Sequence, residues 1–143
     1  MEDELRKRAD EIGDENVIFY PPVLVNELIP YASKSKVGVA ITENTCLNFE
    51  LSVSNKIFEY ASAGLPVIMS DIPEHRYLNE KYNFGIILKE NTPECFKEAA
   101  IKLYADKEFY DVCAKNADRL SEEVNWETEF SRLIEIERSW VNG

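Results

Sequence analysis

Apolar residues fall along this chain in two rhythms. Val17-Ile18-Phe19-Tyr20, Val37-Gly38-Val39-Ala40-Ile41, Pro66-Val67-Ile68-Met69 and Gly85-Ile86-Ile87-Leu88 are short continuous runs. Runs of that length predict strands covered on both faces, as in a parallel sheet. Between and beyond them, apolar residues recur at three- and four-residue spacing, which predicts helices with one buried face. Residues 2–12 place Leu5, Ala9 and Ile12 on one side, and residues 25–34 read as a helix that Pro30 bends or delays. A helix from Ser54 carries Ile57, Phe58, Ala61 and Ala63. Thr92-Pro93-Glu94 opens another that runs to Tyr104, and two amphipathic, acidic helices cover 107–123 and 126–141. Trp126 and Trp140 lie fourteen apart on the last of these, so both are expected to face the core.

Local punctuation agrees with the rhythm. Gly13 to Asn16 breaks the first helix, and Pro21-Pro22 ends the first strand. Residues 42–54 read as a polar loop closed by Ser54, a good N-cap. Gly64 suits a left-handed helix end, Pro66 forbids continuation, and Pro73 suits the first position of a helix. Strands alternating with helices predict an α/β fold, a parallel sheet flanked by helices and joined by right-handed crossovers. In such sheets ligands bind beyond the carboxyl ends of the strands. The loops of interest are therefore 21–25, 42–54, 70–75 and 89–92.

Composition narrows the function classes. A chain of 143 residues, 45% apolar and 30% charged, is one globular domain's worth. Its net charge of −11 repels phosphate backbones, so nucleic acid is not an expected partner. The acid sits in the flanks: residues 17–105 carry only −2. Cys46, Cys95 and Cys113 are far apart and lack metal-ligand spacing, so no metal is expected, and they read as buried or loop thiols of a reducing compartment. The charged N-terminus is no signal peptide, and no apolar run reaches the roughly 20 residues of a membrane span. The expectation is a cytoplasmic protein.

Candidate chemistry centres on the helix that starts at Ser54. Backbone N–H groups at a helix start attract phosphate, and Lys56 adds a positive charge. An ordinary capped helix is the commoner explanation of the same residues. Glu59, on the next turn, could accept hydrogen bonds from two neighbouring hydroxyls such as those of a ribose, or could be a solvated glutamate. His75 is the single histidine and is expected at the surface or in a cap. No serine has the GxSxG context of a nucleophile elbow, and neither GxGxxG nor a Walker A sequence is present. No catalytic residue is assigned.

The string SVSNKIFEYASAGLPVIMSDIPE, from Ser52 to Glu74, closely resembles the signature of nucleotide-sugar glycosyltransferases of the GT-B fold, in the group 1 or family 4-like branch. The flanking ENVIFYPPVLVNELIPYASKSKVGVAIT and the terminal NWETEFSRLIEIERSW are similar to neighbouring regions of that family, so the resemblance covers nearly the whole chain. It implies a Rossmann-like C-terminal domain, with residues 1–143 forming one partial donor-nucleotide-binding domain. Ser54, Asn55 and Lys56 would cradle the diphosphate of a nucleoside-diphosphate sugar, and Glu59 would hold the ribose. The loop around Pro22 would meet the base, and residues 44–54 would lie near the donor sugar. The family often has a second glutamate seven residues before the first. That register falls on Leu51, with Glu50 adjacent, so its role is not transferred.

The resemblance also implies absences. An acceptor-binding domain, two further strands and a phosphate-holding basic pair would precede Met1. The expected function is the donor-binding portion of a glycosyltransferase of polysaccharide or glycoconjugate biosynthesis, inactive as an isolated chain. It needs no cofactor beyond the donor itself. In the doubly wound order 3-2-1-4-5-6, strand 17–20 would be third and strand 37–41 fourth. Either the two pair directly, or a companion chain or second copy fills the gap. The alternative function is a non-catalytic α/β interaction module or the partner subunit of a split transferase. A flavodoxin-like receiver is the weaker third reading, since Asp71 alone makes no acidic cluster.

Overall fold

The computed structural model of the chain describes residues 2–13, 16–43, 47–50 and 52–141. Helix α1 (Glu2–Ile12) leads, followed by a 3-10 turn (Val25–Glu27) and α2 (Leu28–Ala32). Then come β1 (Gly38–Ala40), α3 (Leu47–Glu50), α4 (Asn55–Ser62), β2 (Val67–Ser70), α5 (Pro73–Tyr82) and β3 (Gly85–Leu88). Helices α6 (Pro93–Ala105), α7 (Lys107–Glu123) and α8 (Trp126–Val141) close the chain.

The sheet is wholly parallel, in the order β1-β2-β3. Gly38 lies opposite Val67, and Val67 opposite Gly85, so the amino ends of the three strands are level. Side chains alternate between two cores. Ala40, Val67 and Met69 meet Ile57, Ala61, Leu78, Tyr82, Ala117 and Leu120, which puts α4, α5 and α7 on one face. On the other face Ile68 and Leu88 meet Ala99 and Leu103 of α6, with Phe109 and Tyr110 of α7 at the margin.

Two glycines let α4 sit where it does. A Cβ on Gly38 would lie 2.3 Å from the ring of Tyr60, so only glycine allows α4 to lie this close to β1. Gly64 follows the helix at φ +68°, the left-handed conformation that stops it and turns the chain into β2. Pro73 stands at the start of α5 and Pro93 at the start of α6, where a missing N–H costs nothing.

Several expectations need correction. Residues 17–20 form no strand, and the sheet has three strands among the described residues, not four. Ile18 is 64% exposed, so that run is not covered on both faces. A strand is defined by its partner, and these residues have none. Phe19 instead lies under Arg6, 4.6 Å away, and Tyr20 meets Tyr31 edge-on. The outer edge of β1 accordingly pairs with neither residues 17–20 nor another described segment. The helix expected over 25–34 is a 3-10 turn plus five residues of α-helix. Pro30 is tolerated because it lies in the first turn of α2, where N–H groups have no helical acceptor. The polar loop at 42–54 contains the short helix α3.

Trp126 and Trp140 do not face the core: they are 74% and 79% exposed, because α8 makes no extensive contact with the other elements. His75 is not at the surface but fully buried.

Candidate functional site

Chain direction decides where α4 begins. β1 and β2 are parallel, so the link between them must return to the amino end of the sheet, and α4 makes that return. Its first residues therefore lie beyond the carboxyl ends of the strands, where open α/β sheets bind ligands. Ile57 and Ala61 are buried against the sheet. At 100° per residue the opposite face carries Asn55, Lys56 and Glu59. The fold thus brings three of the four expected residues to one outward face. Asn55 and Lys56 are exposed and Glu59 is half-buried.

The helix start is chemically open. Ser54, half-buried and extended at φ −69°, ψ 130°, stands at the N-cap position, yet its side chain makes no capping hydrogen bond. Its carbonyl accepts the N–H of Ile57 at 3.0 Å. The N–H groups of Asn55 and Lys56 have no acceptor among the described residues. Lys56 makes no ion pair among them either. Two free donors, the positive end of a helix and one ammonium group can hold an anion. Residues 44–46 and 51, including Cys46 and Leu51, lie outside the described residues, as does the Glu50 side chain. No group of residues suited to a metal occurs among the described residues.

A polar network that the sequence did not announce braces the floor of this region. The Oγ of buried Ser70, at the end of β2, accepts the N–H of Thr42 at 2.7 Å. Asn91 Nδ2, beyond β3, donates to the carbonyl of Thr42 at 3.0 Å. His75 Nδ1 stands 3.0 Å from the Ser70 carbonyl. A carbonyl only accepts, so Nδ1 carries the proton and Nε2 is left as a lone pair. Nε2 is buried without a partner among the described residues. Burial lowers the His75 pKa below 6.5, and the Ser70 hydrogen bond opposes the shift only in part. Asp71 and Arg76 pair at the rim of the same region. A signal for His75 was available: His75, Leu78 and Tyr82 follow helical spacing and are the buried residues of α5. Nothing local linked Thr42, Ser70 and Asn91, which lie far apart in sequence.

A recess with a largely apolar floor lies elsewhere. A groove of about 510 Å³ runs over β1 on the face that α6 covers only in part, lined by Val37, Val39, Ile68, Phe96, Leu103 and Tyr104 among others. Lys36, Lys107 and Asp111 stand in the same lining, the last two paired with one another at 2.8 Å.

No described helix is long and apolar enough to cross a membrane. Comparison with proteins of curated function gives no match. Residues 1–106 match the family described as Glycosyl transferases group 1, a span that includes the whole sheet and α4. The chain therefore belongs to the glycosyl transferases of group 1, enzymes that transfer a sugar from a nucleoside-diphosphate sugar.

Proposed function

We propose that the start of α4 is the donor-nucleotide site. Residues 54–56 hold the diphosphate, and Glu59 accepts the ribose hydroxyls. The observation that carries this reading is the open helix start: Asn55 and Lys56 offer unpaired N–H groups while Ser54 leaves them uncapped. Glu59 lies one turn along the same outward face, the direction in which a ribose follows a diphosphate. In glycosyl transfer the diphosphate gains charge as the sugar departs, and fixed donors of this kind stabilise it. The loop around Pro22 meets the base in this reading.

In this reading residues 54–59 bind the donor, and transfer also requires an acceptor held in line across a dry cleft. The open edge of β1 supports a partner, either a companion chain or a second copy. The same edge supports the second reading, that the chain serves as the nucleotide-binding subunit of a split transferase. A reducing, cytoplasmic setting is supported by the free thiols of Cys95 and Cys113.

Isothermal titration with uridine and guanosine diphosphates tests the site. With few fixed donors and a net charge of −11, affinity should be on the order of millimolar, about −4 kcal/mol. Lys56→Ala should nearly abolish it. Unchanged affinity in that variant would move the site elsewhere.

A further inference from the structure

We infer that His75 is an acid-sensitive latch on the strand ends that lead to the proposed donor site, closed while its ring is neutral and opened when the ring takes up a proton. Its link to the donor rests on the α4 reading; the latch itself does not. The ring is fully buried and is held by one hydrogen bond, from Nδ1 to the Ser70 carbonyl at 3.0 Å. Ser70 serves both sides of the latch. Its carbonyl takes His75 and the N–H of Ile72, and its Oγ takes the N–H of Thr42. The ladder between β1 and β2 stops at Ala40, so Thr42 is outside it. Side chains hold Thr42 instead: Ser70 Oγ at its N–H and Asn91 Nδ2 at its carbonyl. That attachment depends on where Ser70 and the chain leaving it stand, and His75 pins that chain from inside.

A second proton on this ring has no place in the closed form. Nε2 is buried without a partner among the described residues, so protonation would create a buried donor with no acceptor. His75 is the third residue of α5, at the positive end of that helix, which disfavours a cation. Burial acts in the same direction and holds the pKa below 6.5. The neighbouring charges do not compensate. On its own segment Glu74 is half-buried, and exposed Asp71 and Arg76 pair with one another. Strands β2 and β3 carry no titratable side chain. On α7, Arg119 and Glu123 engage the Lys81 carbonyl and the Tyr82 hydroxyl, at the far end of α5. On α4, Lys56 and Glu59 lie on the outward face, and Glu43, Lys89 and Glu90 beside the strand ends are exposed. Opening the first turn of α5, which the Arg76 N–H closes on the Ile72 carbonyl at 3.0 Å, brings the ring into water. It also releases the Ser70 carbonyl and the chain after it, and with them the anchor of Thr42.

The test is amide hydrogen exchange of the full chain between about pH 7.5 and about 5.5, each rate corrected for its intrinsic pH dependence. The Thr42 amide should exchange through an opening smaller than global unfolding, more readily than Ile68 and Met69 of β2 and with little response to dilute urea. Below 6.5 that opening should grow, by up to about tenfold per pH unit, until the native ring itself titrates. His75→Asn keeps a donor for the Ser70 carbonyl and does not titrate, so its Thr42 opening should not follow pH. Affinity for uridine diphosphate should fall several-fold more across the same range in the wild type than in that variant, a comparison that removes the ionisation of the phosphate. Thr42 exchange in the wild type that ignores pH, or that matches Ile68 and Met69, would overturn the latch whether or not the variant folds. An equal loss of nucleotide affinity in both proteins would overturn its link to the donor site. Nucleotide binding away from residues 54–59 would instead overturn the α4 reading, and the Thr42 result would stand.

Discussion

The hydroxyl oxygen of Ser70 accepts the backbone N–H of Thr42 at 2.7 Å, tying the carboxyl end of β2 to the first residues beyond β1. Thr42 in turn receives Asn91 from the loop after β3. The three strand ends are thereby fastened to one another beneath the segment that leads to α4. Ser70→Ala leaves the Thr42 N–H without its partner. The expected loss is about 1–2 kcal/mol of stability, measured by urea unfolding. Weaker donor binding should accompany it, because the loop before the helix loses its anchor.

His75 makes stability depend on pH. Its pKa is held below the ordinary 6.5 because burial disfavours the charged ring, and the hydrogen bond to Ser70 only partly offsets that. The unfolded chain therefore takes up the proton first as pH falls. The contribution is complete above about 6.5 and is lost progressively as pH drops toward the lowered native value. Unfolding free energy should decline between about pH 7.5 and 5.5, and His75→Leu should flatten that part of the curve. An equal slope in both proteins would assign the dependence to other groups.

Much of the middle of the chain was legible because its signals are local. Gly64, Pro66, Pro73 and Thr92 mark boundaries through their own backbone chemistry, and the elements from α4 to α6 fall where those residues put them. The start of α4 was legible for the same reason. Residues 17–20 were misread because apolar character says that a segment suits a sheet and not whether a neighbouring strand exists. Trp126 and Trp140 were misread likewise. Their spacing shows that they share a helix side, and the presence of anything against that side is a tertiary fact. His75 was misread because polarity was weighed above its spacing with Leu78 and Tyr82.

Gly38 sets the distance between α4 and the sheet. A Cβ there would stand 2.3 Å from Tyr60 Cγ and 2.8 Å from its Cβ, so Gly38→Ala must displace the ring and with it the helix. Overpacking of this kind costs about 1–3 kcal/mol, read as a lower Tm. Donor affinity should fall in the same variant, since α4 carries Asn55, Lys56 and Glu59 of the proposed site.

Cys113 should resist modification. Burial pushes its thiol pKa up to about 11, with Lys102 pulling only weakly the other way, so the reactive thiolate is scarce at neutral pH. Half-buried Cys95 should be alkylated by iodoacetamide before Cys113, with mass spectrometry locating the adducts. Because the native thiol holds its proton longer than the unfolded one, stability should decline as pH rises from 9.0 toward about 11.

The proposal that α4 is the donor site is tested most directly by a chemical-shift titration, with nucleoside diphosphate and free pyrophosphate added separately to the wild-type chain and two variants. In the wild type, both ligands should move the amide resonances of Asn55 and Lys56. Lys56→Ala should weaken both, since the positive charge faces phosphate in either ligand. Glu59→Ala should weaken the nucleotide by about 1.5–3 kcal/mol and spare pyrophosphate, because only the ribose contact is lost. If nucleotides shift resonances elsewhere and leave residues 54–59 still, α4 is an ordinary helix and the donor site lies in another part of the molecule.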